Sequence, residues 1–386
     1  MNTLTLILFL SLQALLILTA PTDHKVQMEY SDEFYYHENF TFNFSYDDYP
    51  AMCEKADVRS FAGVFLPVVY SLCLIIGLAG NALVVAVYVY YKRLKTMTDV
   101  FLTHLAVADL LLLSTLPFWA FDAARGWILG KELCKIVSSC YTLNFTCCML
   151  LLACISIDRY LALTKLQGSD NSGCLRNFNR KNCCKVCIVV WATAFLLGLP
   201  DLMLSEVRHA GNRSFCIAAF SSMGRAGKTA IEMVEVVLGF LIPLLIMMVC
   251  YCKVGFMLGK LPSQSKSKRW KAVRVLLIIV AVFVITQLPY NVLKVYRTMD
   301  NIYNMVIHCE TSKVLDRAGQ VTESLALTHC CINPILYTFV GSSFRKKLMK
   351  AAKRFGEKRR RRQRTEEVEM SFNSHSESQQ TDSFSI

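Results

Sequence analysis

A carboxylate inside a long apolar stretch is the first candidate for chemistry in this chain. Glu323 is such a residue, and a charge placed there is costly unless it lines a polar cavity. The residue type predicts a cavity that receives a cationic group. Pairing of Glu323 within the protein stays open as an alternative, because Glu232 and Glu235 stand at comparable depth in their own stretch and could share its role.

A second candidate is the acidic, tyrosine-rich segment between residues 21 and 50. Its tyrosines are Tyr30, Tyr35, Tyr36, Tyr46 and Tyr49, and seven Asp or Glu residues are interleaved with them. Tyrosine among carboxylates is a substrate pattern for sulfation, and such an arm would attract a basic protein by electrostatic steering. The segment also carries Asn-x-Ser/Thr glycosylation acceptors at Asn39 and Asn43, and a third acceptor is Asn212.

The elements that must position these residues are membrane helices. The chain has 386 residues, 54% hydrophobic and 18% charged, with mean hydropathy +0.38, which excludes an ordinary soluble domain. A bilayer core needs about 20 apolar residues per helix. Seven segments meet that length: 61–91, 100–123, 134–163, 184–204, 229–258, 272–295 and 313–340. The predicted fold is an all-α membrane protein with a seven-helix bundle at 61–340.

The distribution of charge predicts the orientation. Lys and Arg concentrate in the loops after the first, third and fifth segments, and residues 344–364 hold a net charge of +11. Residues 21–60 hold −6. Positive loops face the cytoplasm, so the amino terminus is predicted outside and the carboxyl terminus inside a plasma-membrane protein. A preceding apolar run, 4–20, is either a signal peptide (1–20) or a further anchor; Ser11 and Gln13 favour the signal peptide.

Four cysteines lie in the predicted outer segments: Cys53, Cys134, Cys216 and Cys309. An oxidising exterior favours two disulfides, but four cysteines allow three pairings and the spacing does not choose between them.

The inner carboxyl-terminal region predicts a membrane contact. Residues 341–357 read as an amphipathic juxtamembrane helix, and the basic run that opens 358–386 would attract acidic lipid. The chain then becomes acidic and rich in hydroxyl groups. Phosphorylation candidates there are Ser371, Ser374, Ser376, Ser378, Thr381, Ser383 and Ser385.

Other classes fit poorly. The net charge of +13 reflects membrane topology, so we expect no nucleic-acid partner. The sequence holds no nucleophile–base pair, metal cluster or phosphate-cradling glycine loop, so an enzyme is not expected and no catalytic residue is assigned. A seven-span transporter or channel is a remote alternative, since the central parts of the first six segments contain Asp109 as their single acid or base.

One motif per segment carries a family resemblance. In order these are Asn81, Asp109, Asp158-Arg159-Tyr160, Trp191, Pro243, Pro289 and Asn333-Pro334-Ile335-Leu336-Tyr337. Together they resemble the rhodopsin-like G-protein-coupled receptors. Thr115-Leu116-Pro117, Trp127-Ile128-Leu129-Gly130 and His329-Cys330-Cys331 further resemble the chemokine receptors within that family.

The resemblance implies disulfides and a ligand site. It pairs Cys134 with Cys216, and Cys53 with Cys309. It implies a two-part site for a basic CC chemokine, in which the acidic arm and outer loops hold the chemokine body while its amino terminus enters the bundle. In the bundle it implies contacts from Tyr70, Trp119, Tyr141 and Glu323.

Narrower motifs resemble the atypical, scavenging branch of the chemokine receptors. These are Thr98-Asp99-Val100, Tyr141-Thr142-Leu143-Asn144-Phe145, Gln320-Val321-Thr322-Glu323-Ser324 and the terminal Phe384-Ser385-Ile386. This implies a receptor that binds homeostatic CC chemokines of the lymphoid-homing and thymus-expressed types, recruits arrestin and cycles through endosomes without productive G-protein signalling. The alternative is a conventional chemokine receptor that couples to an inhibitory G protein and drives migration.

Residues that could switch the receptor between states are predicted in the centre of the bundle and at its inner end. Asp109 with Asn81, Asn144 and Asn333 would form a polar centre, around which a sodium ion could sit, although Cys148 weakens that prediction. Gln287 replaces the Trp found there in most rhodopsin-like receptors. Leu161-Ala162 follows Asp158-Arg159-Tyr160, where signalling chemokine receptors typically carry Ile-Val. Receptor kinases and arrestin are the expected partners of the tail.

Overall fold

The computed structural model describes residues 53–89, 96–164, 182–210, 213–218, 224–259 and 263–339, with six isolated positions between 349 and 365. The helices are α1 (Ala56–Val89), α2 (Met97–Leu113), α3 (Leu116–Arg125), α4 (Lys131–Thr164), α5 (Cys183–Leu204), α6 (Gly224–Val236), α7 (Ile242–Gly259), α8 (Ser263–Tyr303), α9 (Cys309–Leu327) and α10 (His329–Phe339). Two strands, β1 (Ser205–Ala210) and β2 (Arg213–Ala218), form an antiparallel hairpin after α5.

The helices form seven spans, which confirms the predicted bundle. The first is α1, the second α2 with α3, the third α4 and the fourth α5. The fifth is α6 and α7 joined by a π-helical turn at Val237–Leu241, the sixth is α8, and the seventh is α9 with α10. The core contains fully buried Phe101, Leu105, Met149 and Phe283, whereas large apolar side chains such as Ile75 and Phe256, each 68% exposed, face outward. Such a surface suits lipid.

Among the described residues, six helical segments are long and apolar enough to cross a membrane, and the seventh span is not one of them. Its helix is interrupted at Thr328, and the outer half, α9, carries several charged residues. The sequence predicted one apolar helix over 313–340. Asp316, Arg317 and Glu323 of α9 contact other spans or line the outer cavity, so the packing of this helix, more than its hydropathy, determines its position.

The bend in the second span positions an aromatic ring. Pro117 follows the break between α2 and α3, where its missing N–H and its ring prevent a regular helix. Thr115 satisfies part of the freed backbone by donating its hydroxyl to the Leu112 carbonyl at 2.7 Å. The continuation brings Trp119 to 6.0 Å, between ring centroids, from the fully buried Trp127.

Both disulfides implied by the resemblance are present. Cys134–Cys216 joins the third span to β2, and Cys53–Cys309 joins the start of the first span to the start of the seventh. They fix the hairpin over the bundle and close the ring of helices between its first and last members.

Several predictions concern residues outside the described part of the chain and stay predictions. These are the signal peptide (1–20), most of the arm (21–60), most of the juxtamembrane helix (341–357), the tail (358–386), the arm tyrosines (Tyr30, Tyr35, Tyr36, Tyr46, Tyr49), the glycosylation acceptors (Asn39, Asn43, Asn212) and the phosphorylation candidates (Ser371, Ser374, Ser376, Ser378, Thr381, Ser383, Ser385).

Candidate ligand cavity and buried polar centre

A cavity of about 500 Å³ opens in the outer half of the bundle, and we call it the outer cavity. Residues of the second to seventh spans, Tyr70 of the first span and β2 contribute to its wall. Its polar and aromatic lining includes Tyr70, Trp119, Tyr141, Thr142, Asp201, Lys228, Glu232, Glu235, Tyr290, Lys294, Arg297, Thr298, Asp300, Asp316 and Glu323. A cavity of this size takes the end of a peptide, not a folded protein.

The structure brings together all four bundle residues that the resemblance implied. Tyr70, Trp119, Tyr141 and Glu323 line the outer cavity from four different spans. The ring of Tyr141 packs edge-on against Tyr290, with centroids 5.8 Å apart. A cation that enters the cavity can therefore make two favourable contacts, one with the carboxylate and one with the face of an aromatic ring.

The outer cavity is acidic, but most of its acids are already paired. Six carboxylates line it against three basic side chains, a net of three negative charges. Lys294 binds Glu235 at 2.7 Å, and Arg297 binds Asp316 at 2.7 Å. Within the described residues, no hydrogen bond or ion pair reaches the carboxylate of Glu323. It is therefore available to a ligand without displacing an internal partner.

The remaining acids of the cavity wall have neutral or longer-range partners. Thr298 donates its hydroxyl to Glu232 at 2.7 Å, and Lys228 lies 3.8 Å from the same carboxylate. Thr142 donates to Asp201 at 2.5 Å. The backbone N–H of Val306 donates to Asp300 at 2.8 Å.

Ion pairs link the first, sixth and seventh spans at the rim, and together with the disulfide Cys53–Cys309 we call them the outer clasp. Asp316 binds Lys55 at 2.9 Å as well as Arg297. Arg317 pairs with Asp57. The outer clasp ties Cys53, Lys55 and Asp57, at the start of the first span, to the wall of the outer cavity.

Deeper in the bundle, Asp109 is the centre of a fully buried polar cluster. Asn333 donates its amide to Asp109 Oδ2 at 3.0 Å, and Asn144 donates to Oδ1 at 3.3 Å. The predicted fourth member, Asn81, instead donates to the backbone carbonyls of Gly77 and Cys330, at 3.0 and 2.7 Å. Asn81 therefore joins the first span to the seventh rather than contacting Asp109.

His329 connects this centre to Gln287. Its Nδ1 lies 2.5 Å from the Ala326 carbonyl, which can only accept, so Nδ1 carries a proton. The amide of Gln287 lies 3.1 Å from the same Nδ1 and donates to the Ala326 carbonyl at 3.0 Å. On its other side, His329 Nε2 lies 3.5 Å from Asp109 Oδ1. The Ala326 carbonyl thus accepts from both Gln287 and His329, and the His329 ring stands between that carbonyl and Asp109; within the described residues its Nε2 has no hydrogen-bond partner.

The residues around Asp109 Oδ1 do not fit a sodium ion. Sodium is a hard cation that takes oxygen ligands. The neighbours of Oδ1 are the amide nitrogen of Asn144, the thiol of Cys148 at 3.6 Å and the imidazole of His329.

At the inner end of the third span, the Asp158-Arg159-Tyr160 motif is held within the bundle. Arg159 binds Asp158 at 2.9 Å and also Thr98 of the second span, whose hydroxyl donates to Asp158 at 2.9 Å. Lys253 of the fifth span lies 5.4 Å from the ring centroid of Tyr160. Arg159 is thereby turned toward the second span.

The remaining predicted switch residues lie where the resemblance implied. Pro289 is inside α8, and Pro334 is inside α10. Gly80 packs so closely on Pro334 that a Cβ there would lie 2.8 Å from the proline ring. Tyr337 belongs to α10, but its side chain is outside the described part.

Three residues of these sites were not predicted in their roles: Lys294, Asp201 and His329. Lys294 falls in the last turn of the predicted sixth segment and Asp201 follows Pro200 near the end of the fourth, so both read as residues at a membrane boundary. The available signal was that each is a charged residue still inside a predicted membrane segment, 272–295 for Lys294 and 184–204 for Asp201. His329 appeared as part of a motif, and its contact with Asp109 requires the fold.

The fold and sites define a class. The sequence profile described as 7 transmembrane receptor (rhodopsin family) matches residues 80–337. This is a class of multi-pass membrane receptors, not of enzymes.

Comparison with individual proteins narrows the class. The chain is 47% identical to Atypical chemokine receptor 4 of Homo sapiens over 363 residues, covering 94% of this chain and 99% of the relative. It is 39% identical to C-C chemokine receptor type 9 of Ovis aries, covering 81% and 87%, and 38% identical to C-C chemokine receptor type 7 of Homo sapiens, covering 86% and 85%. The chain belongs to the chemokine receptors of the rhodopsin family.

Proposed function

We propose that this protein is an atypical, scavenging receptor for basic CC chemokines of the homeostatic kind. It stands in the plasma membrane with its amino terminus outside, binds chemokine, recruits receptor kinases and arrestin to its tail, and carries the ligand into endosomes without productive G-protein signalling. The proposal is supported by similarity to Atypical chemokine receptor 4 over nearly the whole length of both chains.

The observation that carries ligand binding is the unpaired carboxylate of Glu323 in the outer cavity. The amino-terminal ammonium of a chemokine is the group that suits it, because an ammonium can donate to the carboxylate and pack against the rings of Tyr70, Tyr141 and Tyr290. The acidic arm, anchored through the outer clasp, would hold the basic body of the chemokine.

The inner surface supports weak G-protein coupling. Leu161 and Leu163 are buried, Leu163 in a cluster with Val254 and Leu258, whereas Ala162 is exposed between them. A single methyl group is thus presented where signalling relatives typically carry a branched side chain. Less apolar area is available to a docking helix, which weakens association in proportion to the area lost. At the inner membrane surface, acidic lipid is the proposed partner of the basic run after residue 357.

One experiment separates scavenging from conventional signalling. Uptake of a fluorescently labelled basic CC chemokine, arrestin recruitment and inhibition of cyclic AMP are measured in the same cells. We expect uptake and arrestin recruitment without cyclic AMP inhibition. Robust inhibition would instead assign the chain to the conventional receptors, which the intact Asp158-Arg159-Tyr160 motif favours.

A control variant tests whether the hydroxyl groups of the tail are responsible for arrestin recruitment. Replacing the seven phosphorylation candidates between Ser371 and Ser385 by Ala is expected to reduce arrestin recruitment while leaving chemokine binding unchanged. Loss of binding in that variant would contradict the assigned role of the tail.

Transmembrane ion flux on expression would favour the transporter alternative.

The proposal includes no resident cofactor. Because the groups around Asp109 do not suit sodium, exchange of sodium for choline in the medium is expected to leave chemokine uptake unchanged. A sodium dependence that Asp109→Asn removes would overturn this part and restore the ion.

A further inference from the structure

The outer cavity contains two acidic regions, and they differ in whether the protein itself supplies the cation. The first is Glu323 on the seventh span, which has no internal partner among the described residues. We call the second the acid pair: Asp201 on the fourth span and Glu235 on the fifth. Lys294 of the sixth span reaches the acid pair, and its Nζ donates to Glu235 Oε2 at 2.7 Å.

Lys294 is committed to the acid pair. The Lys294 side chain is 24% exposed and that of Glu235 is 8% exposed, so water screens their attraction little. Asp201 also lies within electrostatic reach of Lys294, and so does Glu323, but Lys294 forms its ion pair with Glu235. The other two basic residues of the cavity bind elsewhere, Arg297 to Asp316 and Lys228 toward Glu232.

We propose that Lys294 determines specificity by occupying the acid pair as a built-in cation, so that the amino terminus of a chemokine is directed to Glu323. This rests on the proposed function. A ligand ammonium at the acid pair would have to displace an ammonium that is already bonded and tethered to the sixth span. At Glu323 it displaces only water.

Lys294 and Glu235 also limit how deeply a ligand reaches. Both line the outer cavity and a much smaller inner cavity, whose walls include Phe145, Thr146 and Asn291. Their ion pair lies between the two spaces, so a ligand that follows the wall of the fifth and sixth spans stops at it. The amino terminus remains at the level of Glu323.

A double-mutant cycle tests the proposal, although the two residues share no direct contact. The affinity of a labelled CC chemokine is measured on membranes that carry wild type, Glu323→Gln, Lys294→Met and the double variant. In wild type, Glu323→Gln is expected to weaken binding by about tenfold to 100-fold, the range for a lost hydrogen bond to a charged group. With Lys294→Met the same change is expected to cost less than about threefold, because the ammonium gains a second acceptor. An equal loss in both backgrounds overturns the proposal.

Matched variants test whether the effect of Lys294→Met comes from the position of this cation and not from the loss of one charge or from misfolding. Lys228→Met removes one positive charge from the same cavity, and Lys294→Arg keeps the cation; both are expected to retain the full effect of Glu323→Gln. If Lys294→Met does not reach the cell surface, the variant Lys294→Met with Glu235→Gln removes both charges. It leaves the Asp201 carboxylate, which also accepts from Thr142, as the second acceptor. A tenfold effect of Glu323→Gln in that background also overturns the proposal.

A second probe keeps this test distinct from the proposed function. The same chemokine with its amino terminus acetylated lacks the ammonium. It is expected to bind wild type about tenfold more weakly and to be insensitive to Glu323→Gln. If acetylation has no effect on wild type, the contact with Glu323 is wrong and the proposed site fails, whatever the result with Lys294.

Discussion

Glu323 differs from the other acids of the outer cavity because no described residue forms a hydrogen bond or an ion pair with its carboxylate. The sequence predicts its importance from residue type and depth alone, since a carboxylate in a span requires a reason. Which of Glu232, Glu235 and Glu323 is free could not be predicted, because it depends on where Lys294 and Arg297 reach from the sixth span. Pairing between spans is a property of the packed bundle.

Replacing Glu323 with Gln keeps the size of the side chain and removes its charge. We expect chemokine affinity to fall by about tenfold to 100-fold, the range for a lost charged hydrogen bond. The matched control is Glu310→Gln, which removes the same charge from the exposed first turn of α9, where Glu310 binds Lys313 at 3.1 Å. Competition binding on membranes measures both. Equal losses for the two variants would mean that only net charge matters.

His329 supports the polar centre from the seventh span. His329→Ala would remove one polar neighbour of Asp109 and one donor to the Ala326 carbonyl, and it would create a cavity in a fully buried region. Asp109 would keep Asn144 and Asn333, and Gln287 would keep the Ala326 carbonyl. We expect the free energy of unfolding to fall by about 2–4 kcal/mol, seen as a lower melting temperature of the detergent-solubilised receptor. His329→Asn places an amide donor near the position of Nδ1 and should recover part of the loss. An alanine variant as stable as wild type would rule out this role.

At the scale of elements, the sequence predicts where each helix crosses the membrane better than where it ends. The sixth apolar segment was predicted at 272–295, but α8 runs from Ser263 to Tyr303. Hydropathy detects only the part inside the bilayer, whereas the helix continues into polar sequence on both sides. The start of α2 is different, because Thr96 and Asp99 form a capping box whose side chains satisfy the first backbone amides.

The outer clasp combines one covalent bond with several ion pairs, and their contributions should differ. The pairs of Asp316 are partly exposed, so Asp316→Asn is expected to lower stability by at most about 1 kcal/mol. Removing the disulfide by Cys53→Ser with Cys309→Ser is expected to cost at least about 2 kcal/mol. Thermal denaturation of the solubilised receptor compares the two. A larger effect for Asp316→Asn would mean that the ion pairs contribute more to the stability of the outer clasp than the disulfide does.

For the whole molecule, the charge is divided between two faces. Residues 21–60 carry −6 and the outer cavity a further net −3, whereas 344–364 carry +11. This division follows from the sequence once the spans are located, and the bundle does not alter it. A basic ligand approaching from outside meets an attractive field, whereas the inner face attracts acidic lipid.

Raising the salt concentration from about 50 to 300 mM should therefore slow chemokine association by about tenfold, with little change in the dissociation rate. Surface plasmon resonance on immobilised receptor measures both rates. A variant with Asp47 and Asp48 replaced by Asn should show a weaker salt dependence, because part of the steering charge is gone. Association rates that do not respond to salt would argue against a role for the arm in capture.

The disulfide Cys53–Cys309 also sets an order of events during biosynthesis, because its cysteines are 256 residues apart. At about 5–20 residues per second, the ribosome needs roughly 10 to 50 seconds to make Cys309 after Cys53. Cys134 and Cys216 are separated by 82 residues, so their bond becomes possible roughly 4 to 16 seconds after Cys134 is made. During the longer interval Cys53 waits for Cys309, while Cys134 and then Cys216 are already made. Correct assembly therefore depends on the third span entering the membrane and pairing with the hairpin before Cys53 reacts.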